Sequence, residues 1–543
     1  MTFHHKSLFI AIAFLAGMSC AGAQDDKVTG SVDIYKDFDA RLLESNKINL
    51  SPTLPPIDTN TKKQDYIVPP RPLSISYETP KLKPLGMKSG KKEDTYNGYA
   101  KVGLGVPKTF WGEVGYYFGS GDKFDGKAWF RHHSLNADKS VENQRFFNND
   151  GQLSANIYLS QNLAAEANVG YSFDRIHYYG YNIDTLTFPE TRTRQDFKML
   201  NLGGRLFNSE RTDADLNFSV APKFYLLNDY YSNKETGFEL GLTATKWFGE
   251  KHPLRVTIRP DLTTFDDTTK QKLNNIYLQP SFTFHSDFVK IKIGGNFASN
   301  RDEFKIFPDA EITLRLAGNG IQIFGGAGGD LRKNTYRSMS EYNPFIHIRG
   351  SELRNTEYRN YYAGIKGDFG FLEYTGQLSY AKANDLALFQ TNFLPNGLTR
   401  FSAIYDTAQI TNIQGTVKIH PFDALIITGT LSQNITFKMN NNDEPWGLPK
   451  LEGNFGAVLT VLEGKAKLRG GLYIADGIWF RDTEGITRQK GGLFDLSVGG
   501  NYYFTDQIGA FLDVNNVLNN KRQRWFNYPM VGLNFLAGIT ARF

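Results

Sequence analysis

From residue 97 to the end, apolar and polar residues alternate with a period of two, in one segment after another. Leu153, Ala155, Ile157 and Leu159 alternate with Gln152, Ser154, Asn156 and Tyr158. After a short break, Leu163, Ala165, Ala167, Val169 and Tyr171 alternate with Glu166, Asn168 and Ser172. Val289, Ile291, Ile293 and Phe297 alternate with Lys290, Lys292 and Asn296, and Phe494, Leu496 and Val498 alternate with Asp495 and Ser497. A two-residue period places one class of side chain on each face of an extended strand. A helix would need a period near 3.6. The chain is therefore built from two-faced strands, and the question is what closes them.

The connections narrow the answer. Short ones (Ser160–Asn162, Gly249–His252, His285–Asp287, Gly367–Gly370, Thr505–Gln507) alternate with longer ones (Asn136–Asn149, His177–Thr193, Asp330–Glu357, Ala383–Thr399, Met439–Lys450, Asn519–Met530). Strict short–long alternation is the plan of a transmembrane barrel, with tight turns at one rim and loops at the other. Counting segments back from the end predicts an all-β fold, a transmembrane antiparallel β-barrel of about 22 strands. Mean hydropathy is −0.40, which suits a wall that shows lipid only every second residue. Past the N-terminus no apolar run approaches the ~20 residues of a membrane helix. Phenylalanines recur beside the short turns, at Phe118, Phe207, Phe248, Phe284, Phe288, Phe371, Phe422 and Phe504, as an aromatic girdle would.

The last segment fixes the register. Leu533, Phe535, Ala537, Ile539, Ala541 and Phe543 share one parity, while Asn534, Gly538, Thr540 and Arg542 share the other. A half-apolar final strand is stable if it pairs with the first, Asn97–Gly105, leaving no edge.

Three regions are expected. Residues 1–23 carry His4, His5 and Lys6, the apolar run Leu8–Leu15 and Ala21-Gly22-Ala23, the pattern of a signal peptide cut before Gln24. A lipoprotein cut before the single cysteine, Cys20, is the competing reading, although Met18 suits it poorly. Residues 24–96 are rich in proline (Pro52, Pro55, Pro56, Pro69, Pro70, Pro72) and read as an extended periplasmic arm. Residues 97–543 form the barrel, placed by export in the outer membrane of a Gram-negative bacterium and in contact with its lipid.

Candidate sites follow from the phase of the strands. Glu166, Lys290, Lys292, Arg315, Glu373 and Asp495 are expected to face the lumen, with Arg255, Arg259, Lys366, Lys467, Arg469 and Asp513. The loop Asp330–Glu357 is the most distinctive exposed piece, and Tyr336, Tyr342, Pro344 and Phe345 mark it as a ligand or partner loop or an inward constriction. His132 and His133 are neighbours on one strand and point to opposite faces, which speaks against a shared metal. The run Gly325-Gly326-Ala327-Gly328-Gly329 lacks a following Gly-Lys-Ser/Thr and is read as a place where a strand bends. No Gly-x-Ser-x-Gly elbow or Ser/His constellation points to an enzyme, and neither a cofactor nor a nucleic-acid partner is expected. The net charge of +5 is scattered rather than clustered.

The chain's end carries a resemblance. Asp513-Val-Asn-Asn-Val-Leu-Asn-Asn520, Trp525, Tyr528-Pro529, Gly532-Leu-Asn-Phe535 and Phe543 resemble the close of TonB-dependent receptor barrels. Lys36-Asp37-Phe38-x-Ala40, Ser45-Asn46-Lys47-Ile48 and Asn343-Pro344-Phe345 are similar to a plug-less group of these barrels found in Bacteroidetes. The resemblance implies uptake of a solute across the outer membrane, with periplasmic partners, TonB among them, reached through the arm. It also implies a folded plug longer than all of residues 24–96, and the sequence shows none. A non-transporting scaffold or accessory subunit of an outer-membrane assembly is the alternative. Either way a barrel this wide has to be occluded, by the arm, by the Asp330–Glu357 loop or by another protein.

Overall fold

The computed structural model describes residues 96–119, 123–160, 162–301 and 303–543. The expected signal peptide, and the expected arm as far as Thr95, lie outside the described residues. Twenty-two strands form one antiparallel sheet closed on itself. The ring shuts where the first strand, Gly98–Val106, meets the last, Asn534–Arg542. Tyr99 lies opposite Arg542 and Val106 opposite Phe535. Gly98 and Phe543 complete the seal, each backbone N–H donating to the other's carbonyl at 2.7 and 2.9 Å. This is the closure the terminal alternation predicts, and no strand pair in the ring lacks its neighbour.

Outside, the predicted phase holds. Val102, Val169, Ile258, Ile293, Leu378 and Ile539 are exposed on the outer wall, as are Leu533, Phe535, Ala537 and Phe543 of the closing segment, with Ala541 half-exposed. No helix among the described residues is long and apolar enough to cross a membrane, so the crossing elements are the strands. Phe248, Phe284, Phe288, Phe371, Phe422 and Phe504 are exposed beside the tight turns, as a girdle requires. Phe207 is a correction. It shares the parity of Arg205, whose guanidinium lies 4.2 Å over its ring, and it faces inward.

Two expectations about connections also change. Alternation of short and long is not strict: on the loop rim, Lys234–Phe248 follows Leu216–Asp229, and Lys270–His285 follows His252–Asp266, after tight turns. Asp267 builds the second of these by accepting from the Thr269 N–H at 2.8 Å, a turn made without glycine or Asn-Gly and so without an obvious signal. The expected loop Ala383–Thr399 is mostly strand. Leu372–Phe393 and Thr399–Phe422 form one long hairpin, broken by an irregularity between Ala383 and Leu386 where Asp385 takes φ 52°. Both faces of its far end are buried, so the alternation that marks a strand elsewhere is lost there.

Candidate functional site

The long loops each turn apolar side chains inward. They meet in the mouth of the barrel and share one hydrophobic core. Leu135, Ile176, Phe197, Leu227, Phe265 and Leu273 line its rim, all on the inward parity near the loop ends of their strands. Onto them pack Tyr178 and Tyr179, Phe345 and Ile346, Trp446 and Leu448, and Trp525 and Tyr528, drawn from four separate connections. Apolar burial of this extent drives the loops together, and each added ring brings its own contact geometry.

The centre is the segment between Lys333 and Asn355. It opens with the helix Tyr336–Tyr342, started by a capping box in which Thr335 and Ser338 bond each other's backbone N–H. A carboxylate on the barrel wall holds this helix start. Glu235 accepts from the N–H groups of Tyr336 and Arg337 at 2.6 and 3.0 Å, and from the Tyr225 hydroxyl at 2.9 Å. The Tyr336 hydroxyl donates to Asp229 at 2.7 Å. Burial first, then the Asp229 charge, keeps that phenol protonated far above the ordinary tyrosine range. Beyond the helix, Phe345 stacks on Tyr528 with centroids 3.7 Å apart. The Tyr528 hydroxyl donates to the Thr399 carbonyl at 2.5 Å. Ile346 bridges in parallel to Phe401, and the His347 N–H donates to the Phe401 carbonyl at 2.6 Å. Arg400 donates to the His347 ring at 3.2 Å. Burial, then the charges of Arg400 and Arg349, lower the His347 pKa below its ordinary value against an opposing pull from Asp229.

The four loop residues singled out from the sequence are thus placed differently from an exposed binding loop. Tyr336 and Phe345 are each 1% exposed. Tyr342 is half-buried, stacked on Phe389 at 5.0 Å and bonded by Arg524 at 2.7 Å. The loop takes the inward alternative: Asn343-Pro344-Phe345 forms part of the cap instead of reaching outward.

Beneath the cap lies a cavity of about 640 Å³, with Tyr342, Pro344, Phe345, Trp525 and Tyr528 above and strand residues such as Gln152, Asn168, Asn201 and Asp495 around it. The other predicted lumen charges also share the inward parity. Glu166 pairs with Arg205 at 3.4 Å, Lys292 with Asp309 at 2.9 Å, and Glu373 with Lys418 at 2.8 Å. Arg315 donates to the Ser286 carbonyl at 3.0 Å, Asp495 accepts from Ser497 at 3.1 Å, and Lys290 sits opposite Thr313. Of these six charges only Asp495 joins the cavity under the cap; the rest are spread along the wall, Glu166, Lys292 and Glu373 in cross-strand pairs. His132 bonds Asn149 and Ser134, while His133 is buried against the Trp111 ring. Among the described residues no group of three or more His, Cys, Asp or Glu is placed to hold a metal ion.

Sequence reasoning missed the wall residues that grip the cap, Glu235 above all. A usable signal was present: near the loop rim the inward parity turns from polar to apolar, at Leu135, Phe197, Phe265 and Leu273, which an open watery lumen would not need.

No protein-family model matches the chain, and no curated protein matches it. Solved structures do. The pyoverdine outer-membrane receptor FpvA from Pseudomonas aeruginosa superimposes with a TM-score of 0.62 at 10% identity, over 84% of this chain and 79% of that one. The FrpB iron transporter from Neisseria meningitidis gives 0.62 at 10% identity, over 83% and 82%. The alcaligin outer-membrane receptor FauA from Bordetella pertussis gives 0.55 at 12% identity, over 83% and 76%. The chain has the 22-stranded barrel fold of TonB-dependent outer-membrane receptors. These neighbours are receptors and transporters rather than enzymes.

Proposed function

We propose that this chain is an outer-membrane uptake barrel of the plug-less kind, closed at its mouth by its own loops. The observation that carries the reading is the shared core of four connections across the barrel mouth, centred on the stacked Phe345 and Tyr528. A barrel of 22 strands encloses a bore too wide to be filled by wall side chains. The cap supplies what a plug domain supplies elsewhere, and the cavity beneath it is the resting place of the solute. In FpvA and FauA the same architecture serves outer-membrane receptors for pyoverdine and alcaligin, and in FrpB an iron transporter, which supports uptake as the general role. In this reading the arm, residues 24–96, engages periplasmic partners, TonB among them, to loosen the cap.

Single-channel recording tests the proposal. The mature protein in a planar bilayer is expected to be closed, and removal of residues 336–353 to open a large steady conductance. A constantly open wild-type pore would refute occlusion by the loops. Deleting residues 24–90 separates the roles of the arm. Loss of a co-purifying partner with unchanged conductance points to a scaffold, the second class of function; a change in gating supports uptake.

A further inference from the structure

On the outer wall, near the loop rim, four residues stand side by side on the consecutive strands Asn355–Asp368, Leu372–Phe393, Thr399–Phe422 and Leu425–Met439. Arg359 lies opposite Lys382, Lys382 opposite Gln409, and Gln409 opposite Lys438. All four are exposed. The next row on this face, towards the tight turns, is Tyr361, Tyr380, Thr411 and Thr436 in the same register. Below it the wall is apolar, with Ile365, Leu378 and Ile413 exposed.

Strand geometry puts this row at the level of the lipid headgroups. Arg359 is nine residues from Asp368, beside which the exposed Phe369 and Phe371 mark the opposite rim. At about 3.4 Å per residue and a tilt of about 40°, that is roughly 23 Å along the membrane normal. The apolar band of such a barrel is about 25 Å tall, so Arg359 stands at its upper edge. Lys438, thirteen residues from Leu425 at the foot of its own strand, stands higher, among the headgroups.

The protein does not answer the charge of this row. Like charges directly opposite on one face of a sheet repel, and Arg359 faces Lys382. Among the described residues neither Lys382 nor Lys438 has an ion-pair partner. Arg359 reaches the neutral Ile306 carbonyl at 3.5 Å through one guanidinium nitrogen, which leaves its charge in place. Glu357, one row nearer the loops, is bonded by Lys305 at 3.1 Å and by Asn300 at 3.2 Å. Two other cationic places on the outer wall are built differently. Lys234 and Lys270 both stand opposite Asp266, and Arg175 and Arg194 both bond Asp196, at 2.7 and 2.5 Å. Three cations in a row with no carboxylate among them call for an anion from outside the chain.

We propose that the row Arg359, Lys382, Gln409 and Lys438 binds the headgroup of an outer-leaflet glycolipid that carries two phosphates. Strands stand about 4.8 Å apart, so the row from Arg359 to Lys438 spans about 14 Å. A single phosphate meets one end of it; two phosphates on the two ends of a disaccharide meet both. One phosphate lies between Arg359 and Lys382, and the other takes Lys438, with the Gln409 amide between them. The sugar rings rest against Tyr361 and Tyr380, and the acyl chains run down over Ile365, Leu378 and Ile413. The site lies on the outside of the barrel and does not rest on the uptake reading.

Native mass spectrometry of the purified, delipidated full chain, released from neutral-detergent micelles, tests it. The probes are diphosphoryl lipid A, monophosphoryl lipid A and cardiolipin. The chain is expected to retain one diphosphoryl lipid A, and to hold the other two lipids several-fold more weakly. The Lys382→Gln/Lys438→Gln variant, checked for assembly by heat-modifiable gel mobility, is expected to weaken that retention about tenfold, equivalent to about 1.4 kcal/mol. Lys234→Gln/Lys270→Gln, in the row that contains Asp266, is expected to leave it unchanged. Full retention by the first variant, equal weakening by the second, or equal binding of monophosphoryl lipid A or cardiolipin would each overturn the site. If the first variant does not assemble, the comparison of the three lipids on the native chain decides alone.

Discussion

His347 is held neutral by its surroundings. Its ring accepts from Arg400, and it is buried in the cap beside the positive charges of Arg400 and Arg349, with Asp229 pulling the other way. Its folded pKa therefore lies below the ordinary 6.5. Between the two values the unfolded loop binds more protons than the folded one, so stability rises with pH across that window. The contribution is complete above about pH 6.5 and is lost as pH falls through the folded value. Amide exchange in residues 334–354 is expected to quicken from pH 7 to pH 5 after correction for intrinsic rates, and to lose this dependence in His347→Gln. An unchanged dependence in the variant would remove His347 from the account. None of this was legible in the sequence. Tyr336, Tyr342, Pro344 and Phe345 stood out there as a binding loop or an inward constriction, and the burial of Tyr336 and Phe345 agrees with the inward alternative. Burial of a loop depends on what three other loops bring to the same place, and the one trace of it in the sequence is the apolar turn of the inward parity at Leu135, Phe197, Phe265 and Leu273.

At the level of elements, the helix Tyr336–Tyr342 is short, and a helix of two turns is not stable in water alone. Its start is pinned by Glu235, through two charge-assisted bonds to backbone N–H groups. Glu235→Gln keeps the shape and removes the charge, and each bond to a charged group is worth about 1.5–3 kcal/mol. The variant is expected to assemble normally while the helix amides lose about tenfold or more of their exchange protection. Protection equal to wild type would show that the apolar core alone seats the helix. The strands themselves were legible because the wall has two solvents, lipid and water, and the period of two reports both. The alternation of Leu163–His177 or Val289–Asn300 needs nothing else. Where the hairpin of Leu372–Phe393 and Thr399–Phe422 enters the cap there is only one environment, and the same residues read as a loop.

For the whole molecule, the strand count and the closing register could be read from sequence because membrane barrels admit few solutions: an even number of strands, ends at one rim, no edge. Phe543 tests the register. Its N–H and C=O both bond Gly98, and its ring stacks on Tyr116 at 6.5 Å. Deleting it is expected to lower the heat-modifiable, assembled fraction several-fold with unchanged synthesis; normal assembly would count against the register. The closure has a kinetic meaning as well. Tyr99 and Arg542 are adjacent in space and nearly the whole described chain apart in sequence. Joining such distant ends costs on the order of 5 kcal/mol of chain entropy before any bond between them forms. Until that last pairing is made, the sheet has two open edges of some eight residues each, ready to pair with any other strand. Chain synthesis alone cannot finish this molecule. The ring is a product of its final step, and a partly built barrel is an aggregation hazard unless something in the membrane holds the first strand until the last arrives.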